Sequence, residues 1–281
     1  MTGTTGNETI PDTPASDLPT GTERLLLRVE GQVAQLTFNN PAKRNALSMD
    51  MALALPDILR RLERDPGVRV ILVAGAGDLA FMSGADISEF GQLRDSAEQR
   101  AEFDRASVEM DGAWASLTKP VVAMIRGFCI GRGMLTALQA DIRLCSTDAT
   151  FAIPAARLGL GYGLAGVRAL SHVVGPTVAA QLLFTGQRLT ADTALRSGLV
   201  NEVTEPRDLA ARAHELAGAI AANAPLTIAA CKAALRELAK PEADQRTDLV
   251  RAMVERCYQS ADYREGQAAF KEKRPPRFEG R

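Results

Sequence analysis

Short apolar runs rich in β-branched residues, which alternate with helical stretches, constrain the fold of this chain most. Residues 69–74 and 121–125 have the length and composition of strands that are buried on both faces. Strands and helices alternate through the first two thirds of the chain, and helical sequence dominates the last third. This order predicts an α/β core followed by a C-terminal helical portion.

The chain divides into three predicted parts. Residues 1–22 are rich in Thr, Pro, Gly, Asp and Ser and have few large apolar groups, so burial cannot offset the entropy lost on ordering. We predict that they form a flexible tail. Residues 23–215 are predicted to be the α/β core, which begins with a β-hairpin, and residues 216–281 to be the C-terminal helical region.

Charge and cysteine content narrow the functional classes. With 33 basic and 34 acidic residues the net charge is −1, so we expect no overall attraction to nucleic acid or to a membrane. The cysteines lie far apart without a C-x-x-C pair, and the chain has neither a signal-peptide pattern nor an 18-residue apolar run. We therefore expect a cytoplasmic protein with reduced thiols and no metal site.

Two glycine-rich turns, at residues 80–87 and 127–133, have the same design. In each, a short predicted strand passes directly into the N-terminus of a helix, where backbone N–H groups have no partner within the helix. Such donors favour an anionic oxygen, as an oxyanion hole requires. A glycine at such a turn commonly serves backbone geometry alone, so the pair of turns carries more weight than either one.

In this order, the two turns resemble those of the enoyl-CoA hydratase/isomerase (crotonase) superfamily, whose members carry A-F-x-x-G-A-D-I and then G-x-x-x-G-G-G. Residues 39–48, 182–201 and 263–270 also resemble blocks of that family, and the likeness covers residues 24–281. The resemblance implies a crotonase-like ββα spiral core and C-terminal helices that mediate trimers or dimers of trimers. It also implies an acyl-CoA thioester as the ligand, with no other cofactor.

The resemblance further implies that the backbone amides of Ala85 and Arg132 bind the thioester carbonyl oxygen, which gains charge when an enolate forms. Arg132 stands where the family usually has glycine; its side chain either reaches a carboxylate or CoA phosphate, or faces solvent. The other implied substrate-binding residues are Lys43, Arg44, Ala46, Ser83, Asp86, Ile87, Phe128, Leu135, Ala155, Phe270 and Lys273. Each basic side chain among them is equally well explained as a solvated surface charge.

Hydratases of this superfamily add water with two glutamates, one on the helix after the second glycine turn and one after the following strand. This chain has Leu135 and Ala155 at the matching places, and it has no glutamate between Glu109 and Glu202. Because a positioned acid or base contributes about 10²–10⁴-fold in rate, we expect ordinary enoyl hydration to be poor. Asp111 either faces the ligand or lies on a solvated helix face.

Residues 158–166 resemble the matching segment of methylmalonyl-CoA decarboxylases, which implies that Tyr162 lies beside a substrate carboxylate. Alternatively, Tyr162 packs under a loop with its hydroxyl bonded to backbone. Three hypotheses follow. The protein is an enolate-stabilising hydratase, isomerase or lyase; a decarboxylase that uses Tyr162, since loss of CO₂ needs no general base; or a non-catalytic acyl-CoA-binding protein.

Overall fold

The computed structural model of the protein describes residues 15–86 and 97–281. Its strands are β1 Ser16–Leu18, β2 Leu25–Glu30, β3 Val33–Phe38, β4 Val70–Gly75, β5 Ala80–Met82, β6 Val121–Ile125, β7 Phe128–Ile130, β8 Ile142–Ser146, β9 Thr150–Ala152, β10 Leu189–Thr190 and β11 Glu202–Thr204. Its α-helices are α1 Met49–Arg64, α2 Ala97–Ser116, α3 Arg132–Ala137, α4 Leu164–Thr185, α5 Ala191–Arg196, α6 Leu209–Ala221, α7 Pro225–Leu238, α8 Thr247–Gln259 and α9 Ala261–Glu272.

The described strands form two sheets. The larger has the order β1-β2-β3-β4-β6-β8-β11 and is parallel from β3 onward, and the smaller has the order β10-β9-β7-β5. Consecutive strands enter the two sheets in turn: β4, β6 and β8 join the larger sheet, and β5, β7 and β9 the smaller one. A helix follows each such pair. This repeated ββα unit confirms the predicted α/β class and spiral core.

Strand β4 shows why one of the apolar runs is uninterrupted. Ile71 and Val73 belong to the main hydrophobic core, which also contains buried residues of α1. Val70 and Leu72 point to the other face, where they meet buried residues of α6. Because successive side chains of a strand point to opposite faces, a strand covered by helices on both sides needs apolar residues throughout.

The predicted boundary between residues 215 and 216 falls inside α6. Ala213, Ala217 and Ala221 are spaced four residues apart on one face of that helix and are buried against the larger sheet. Helix α6 is therefore part of the core, and the C-terminal helical region begins after Ala221.

The segment predicted to be a flexible tail, residues 1–22, includes a short strand. Residues Ser16–Leu18 form β1, which pairs antiparallel with β2 at the edge of the larger sheet. Backbone hydrogen bonds to β2 order this segment, so it does not need large apolar side chains. The first 14 residues of the tail lie outside the described part of the chain.

Helix α4 is long and largely apolar, although the sequence has no uninterrupted apolar run of 18 residues. By length and composition alone it is the one continuous helix in the described chain that could cross a membrane. Its backbone is non-helical at Gly175, where φ is 74°, and its inner face contributes Leu170, Val174 and Leu182 to the main core. These are features of a helix that packs on the core of a protein.

Candidate functional site

The two glycine turns lie side by side at one edge of the smaller sheet. Strands β5 and β7 are parallel neighbours, with Ala80 opposite Phe128, so the turns that follow them leave the sheet at the same edge. A Cβ atom on Gly131 would lie only 3.9 Å from the Cα atom of Gly84. Both glycines have positive φ, 122° at Gly84 and 56° at Gly131.

The residues after these glycines are Ala85 and Arg132, the two amides implied by the resemblance. Helix α3 begins at Arg132, so this N–H has no partner within the helix. Throughout residues 15–86 and 97–281, neither amide donates a hydrogen bond to a carbonyl. By contrast, the Gly131 N–H donates to the Ala152 carbonyl at 2.8 Å. Two backbone donors without a carbonyl partner among the described residues thus follow two glycines that lie close together.

Asn45 ties the loop of residues 39–48 to the first turn. Its side chain is fully buried; Nδ2 donates to the carbonyls of Ala76 at 2.9 Å and Ala80 at 2.7 Å, and Oδ1 accepts from the Asn40 N–H at 3.0 Å. In the sequence, Asn45 stands out only as part of the family block at residues 39–48. Its φ of 57° suits asparagine, which tolerates the left-handed region better than most residues. The tolerance of asparagine for this backbone conformation was the one local sign that Asn45 has a structural role.

The predicted ligand residues of this loop lie against the first turn. The Ser83 N–H donates to the Arg44 carbonyl at 3.0 Å, and its hydroxyl donates to the Lys43 carbonyl at 3.1 Å. Lys43 Nζ lies 2.7 Å from a carboxylate oxygen of Asp86, which is 4% exposed. Ala46 is buried beside them. The structure therefore brings these predicted residues together, whereas Ile87 lies outside the described residues.

Phe128, at the start of β7, is flanked by two guanidinium groups. The Arg44 guanidinium carbon lies 5.2 Å from the ring centroid and that of Arg188 lies 5.1 Å from it. Both distances are typical of cation–π contacts. Sequence reasoning missed Arg188 because it precedes β10, far from Phe128 along the chain, and only the pairing of the smaller sheet brings it near.

The Arg132 side chain reaches a carboxylate of the same chain. Nη1 donates to Asp111 Oδ2 at 3.3 Å and Nη2 donates to Oδ1, so the ion pair uses both ends of the carboxylate. The Arg132 side chain is 12% exposed and that of Asp111 is 42% exposed. Of the two predicted roles for this arginine, the solvent-facing one is wrong. Asp111 therefore forms an ion pair with Arg132 and does not simply lie on a solvated face of its helix.

The side chains of Tyr162 and Leu135 both lie next to Gly166. A Cβ atom on Gly166 would lie 2.9 Å from Tyr162 Cε1 and 3.2 Å from Leu135 Cδ2. Ala155 is half-buried against the same core, and its carbonyl accepts from the Leu160 N–H at 3.0 Å. This bond closes the turn that returns the chain toward the core before Tyr162.

The Tyr162 hydroxyl is buried, and in the described part of the chain it has no hydrogen-bond partner. The predicted alternative, a hydroxyl bonded to backbone, is therefore wrong. Burial raises the pKa of Tyr162 above its ordinary value; the nearby Arg132 guanidinium opposes this rise, and the Asp111 carboxylate adds to it. At neutral pH the group is an uncharged hydroxyl that can donate.

Phe270, on α9, and Lys273, directly after it, belong to the C-terminal region of the chain. The C-terminal tail that packs on α9 reaches Arg69, whose guanidinium donates to the Phe278 carbonyl. Arg69 precedes β4, whereas Gly75, beside the turns, ends it. A six-residue strand spans about 20 Å, so these two regions lie at opposite ends of the sheet. These contacts thus place the C-terminal tail away from the glycine turns of the same copy, and a role of Phe270 and Lys273 at the site stays a prediction.

Comparison with known proteins identifies the family. The model of the family "Enoyl-CoA hydratase/isomerase" matches residues 28–281. The chain belongs to this family. It is 34% identical to crotonyl-CoA hydratase of Syntrophomonas wolfei over 91% of this chain and 98% of that protein. It is 36% identical to short-chain-enoyl-CoA hydratase of Clostridium acetobutylicum over 89% of this chain and 95% of that protein.

Solved structures agree with this assignment. The crystal structure of an enoyl-CoA hydratase/carnithine racemase from Magnetospirillum magneticum superposes with a TM-score of 0.86 at 33% identity and covers 92% of this chain and 97% of that one. The superfamily and fold predicted from sequence are thus confirmed. The coarse activity of the family is the processing of acyl-CoA, and the named relatives are hydratases, which are lyases.

Proposed function

We propose that the protein is an acyl-CoA-processing enzyme that stabilises a thioester enolate between the N–H groups of Ala85 and Arg132. The observation that carries this proposal is the closeness of Gly84 and Gly131, each followed by an amide without a carbonyl acceptor among the described residues. Donors held at an oxygen that gains charge stabilise the transition state more than the ground state. In other enzymes, removal of one such donor costs about 3–4 kcal/mol.

The nucleotide part of CoA would be bound by the basic groups beside the first turn. Arg44 and Arg188 flank Phe128, and Lys43 lies next to Arg44. Because the net charge of the chain is only −1, phosphate groups must be attracted by such local cations. This arrangement supports a CoA thioester as the ligand.

The groups beyond the amides favour chemistry other than ordinary enoyl hydration. Leu135 and Ala155 cannot act as acid or base, so activation of water would lack the two groups that hydratases of the superfamily use. A reaction that forms an enolate without a general base suits this site better.

Decarboxylation is the second candidate, favoured by the buried hydroxyl of Tyr162. In a malonyl-type thioester, the bond from Cα to the carboxylate breaks, CO₂ leaves, and the bonding electrons pass into the enolate that the two amides stabilise. A proton from the Tyr162 hydroxyl or from water is then added to Cα. The high pKa of Tyr162 keeps this proton on the phenol before the enolate forms.

We further propose a homo-oligomer, a trimer or a dimer of trimers. Phe270 and Lys273 would then reach a CoA site from another copy, because the tail that packs on their helix contacts the end of β4 opposite the glycine turns. Large apolar side chains are exposed on the helices that would form the contact. Examples are Phe184, Leu235, Leu238, Tyr258 and Phe270.

A panel of acyl-CoA thioesters analysed by mass spectrometry tests the proposed function. We expect turnover of at least one thioester, and crotonyl-CoA hydration far slower than that of a hydratase with both glutamates. The double variant Leu135→Glu/Ala155→Glu should raise crotonyl-CoA hydration. Ordinary hydration rates in the wild type would contradict our interpretation of residues 135 and 155.

The same panel separates the remaining hypotheses. Release of CO₂ from malonyl-CoA or methylmalonyl-CoA that falls in Tyr162→Phe would support decarboxylation, and release that is unchanged in this variant would exclude a role for the phenol. Tight acyl-CoA binding without turnover of any thioester would overturn the enzymatic proposal and favour a non-catalytic binding protein.

A further inference from the structure

Two buried donors beside the candidate site have no acceptor in the part of the chain that the structure describes. They are Nε of Arg132 and the hydroxyl of Tyr162. The other edge of the guanidinium is occupied, because Nη1 and Nη2 donate to Asp111. Buried donors in folded proteins nearly always have a partner, since leaving one unpaired is unfavourable. These two groups therefore indicate an acceptor that a ligand supplies.

Both donors border the space next to Leu135. The side chain of Arg132 begins at the residue whose N–H we assign to the thioester oxygen. Leu135 lies three residues further along α3, on the same face of the helix. The Tyr162 ring and the Leu135 side chain both lie next to Gly166. The acyl group of a thioester held by the two amides would therefore extend between Arg132 and Tyr162.

The chemistry of the two donors specifies the acceptor. A guanidinium has no acceptor atom and stays charged, and an uncharged phenol next to it can donate its proton to an oxygen. A carboxylate accepts from both and balances the positive charge, and such charge-assisted hydrogen bonds are among the strongest in proteins. An apolar acyl group would leave both donors unpaired.

We propose that Arg132 and Tyr162 bind a carboxylate at the end of the acyl group, and that the substrates are mono-CoA thioesters of dicarboxylic acids. This inference rests on the proposed CoA thioester site. It extends beyond decarboxylation, because it applies equally to a carboxylate that stays on the product.

Asp111 has a definite role in this arrangement. It holds the guanidinium through the Nη1 and Nη2 edge, which leaves the Nε–H on a different edge of the same rigid plane. Its negative charge also opposes the binding of a second anion. Removal of that charge should therefore strengthen the binding of a dicarboxylic thioester, whereas loss of a purely structural ion pair would weaken binding or leave it unchanged.

Calorimetric titration with matched thioesters tests the proposal. Succinyl-CoA and 4-methylpentanoyl-CoA share one heavy-atom skeleton, and so do malonyl-CoA and isovaleryl-CoA; in each pair only the first has a carboxylate. We expect the wild type to prefer the charged member of at least one pair by about tenfold or more. Succinyl-CoA cannot lose CO₂ to give a thioester enolate, so its binding is measured without turnover.

Variants assign this preference to the two donors. Arg132→Gln keeps the backbone N–H and should bring the affinity ratio within a pair close to one, and Tyr162→Phe should lower it several-fold. Asp111→Asn should raise the ratio, and these last two variants test the proposal even if Arg132→Gln does not fold. Arg196→Gln, which removes an exposed arginine paired within α5, is the control and should keep the wild-type ratio.

Two results would overturn the proposal and differ in what else they exclude. Equal affinity for both members of each pair, or a ratio that none of the site variants changes, would overturn the carboxylate site and leave the CoA thioester site intact. Failure of all four thioesters to bind would overturn the CoA site itself, and this inference with it.

Discussion

Gly133 lies so close to Met82 that a Cβ atom on residue 133 would be 2.1 Å from the Met82 carbonyl oxygen. Met82 ends β5, just before the first glycine turn, and Gly133 follows Arg132 in the second. This contact sets how closely α3 approaches the end of β5, and hence how closely the two candidate amides approach each other.

Gly133→Ala should push the two turns apart, because a backbone oxygen cannot yield as a flexible side chain can. We expect acyl-CoA affinity to fall by a factor of about ten or more, and the melting temperature to fall, as overpacking in a core costs about 1–3 kcal/mol. Calorimetric titration and thermal unfolding measure these changes.

The matched control for this change is Gly218→Ala in α6. A Cβ atom there would meet nothing within 4 Å. Alanine in a helix is favoured over glycine by about 0.5–1 kcal/mol, so the control should keep or raise the melting temperature. Wild-type affinity in Gly133→Ala would show that the contact with Met82 does not set the site geometry.

Asn45→Ala should destabilise the fold strongly. The change leaves the carbonyls of Ala76 and Ala80 and the N–H of Asn40 without their partner, and it places alanine at positive φ. We expect a loss of about 3 kcal/mol or more in the free energy of unfolding. Urea titration measures it. Asn39→Ala, which removes one exposed hydrogen bond to the Glu23 carbonyl, should cost less than about 1 kcal/mol.

Protonation of Glu237 in acid should destabilise the C-terminal helices. The Arg246 N–H and the Lys240 ammonium donate to its carboxylate, which lowers the pKa of Glu237 from 4.5 to about 2. A carboxylate whose pKa is lowered by folding stabilises the fold at pH values above its pKa in the unfolded chain. It loses this contribution as the pH falls toward its pKa in the folded protein.

The stability difference between wild type and Glu237→Gln should therefore be largest at neutral pH and shrink between about pH 5 and pH 2. Urea titrations across that range measure it. A difference that stays constant across the range would contradict the role assigned to these hydrogen bonds.

Phe270 tests the proposed oligomer. Its side chain is 86% exposed and adjoins a groove of about 650 Å³ between α7, α8 and α9. Light scattering should give three or six times the chain mass of 30.0 kDa. Phe270→Ser should weaken acyl-CoA binding, whereas Leu53→Ser, at an exposed position on α1, should not. A monomer that binds acyl-CoA as tightly as the oligomer would contradict the proposal.

Much of the fold was predictable because its signals are local. The apolar run of β4, the hairpin of β2 and β3, and the glycine turns can each be recognised within a few residues, and their order along the chain indicated the family. The position of α6 was not predictable in this way, because its small buried alanines become informative only where they meet the sheet.

The sequence by itself determined the α/β class, the family and the two candidate amides, since these depend on residue type and spacing in short segments. Only the tertiary structure showed that Arg132 pairs with Asp111, that the Tyr162 hydroxyl is buried without a partner among the described residues, and that the C-terminal tail contacts the far end of β4. Side-chain partners and burial depend on segments that are distant along the chain. Folding alone brings those segments together or keeps them apart.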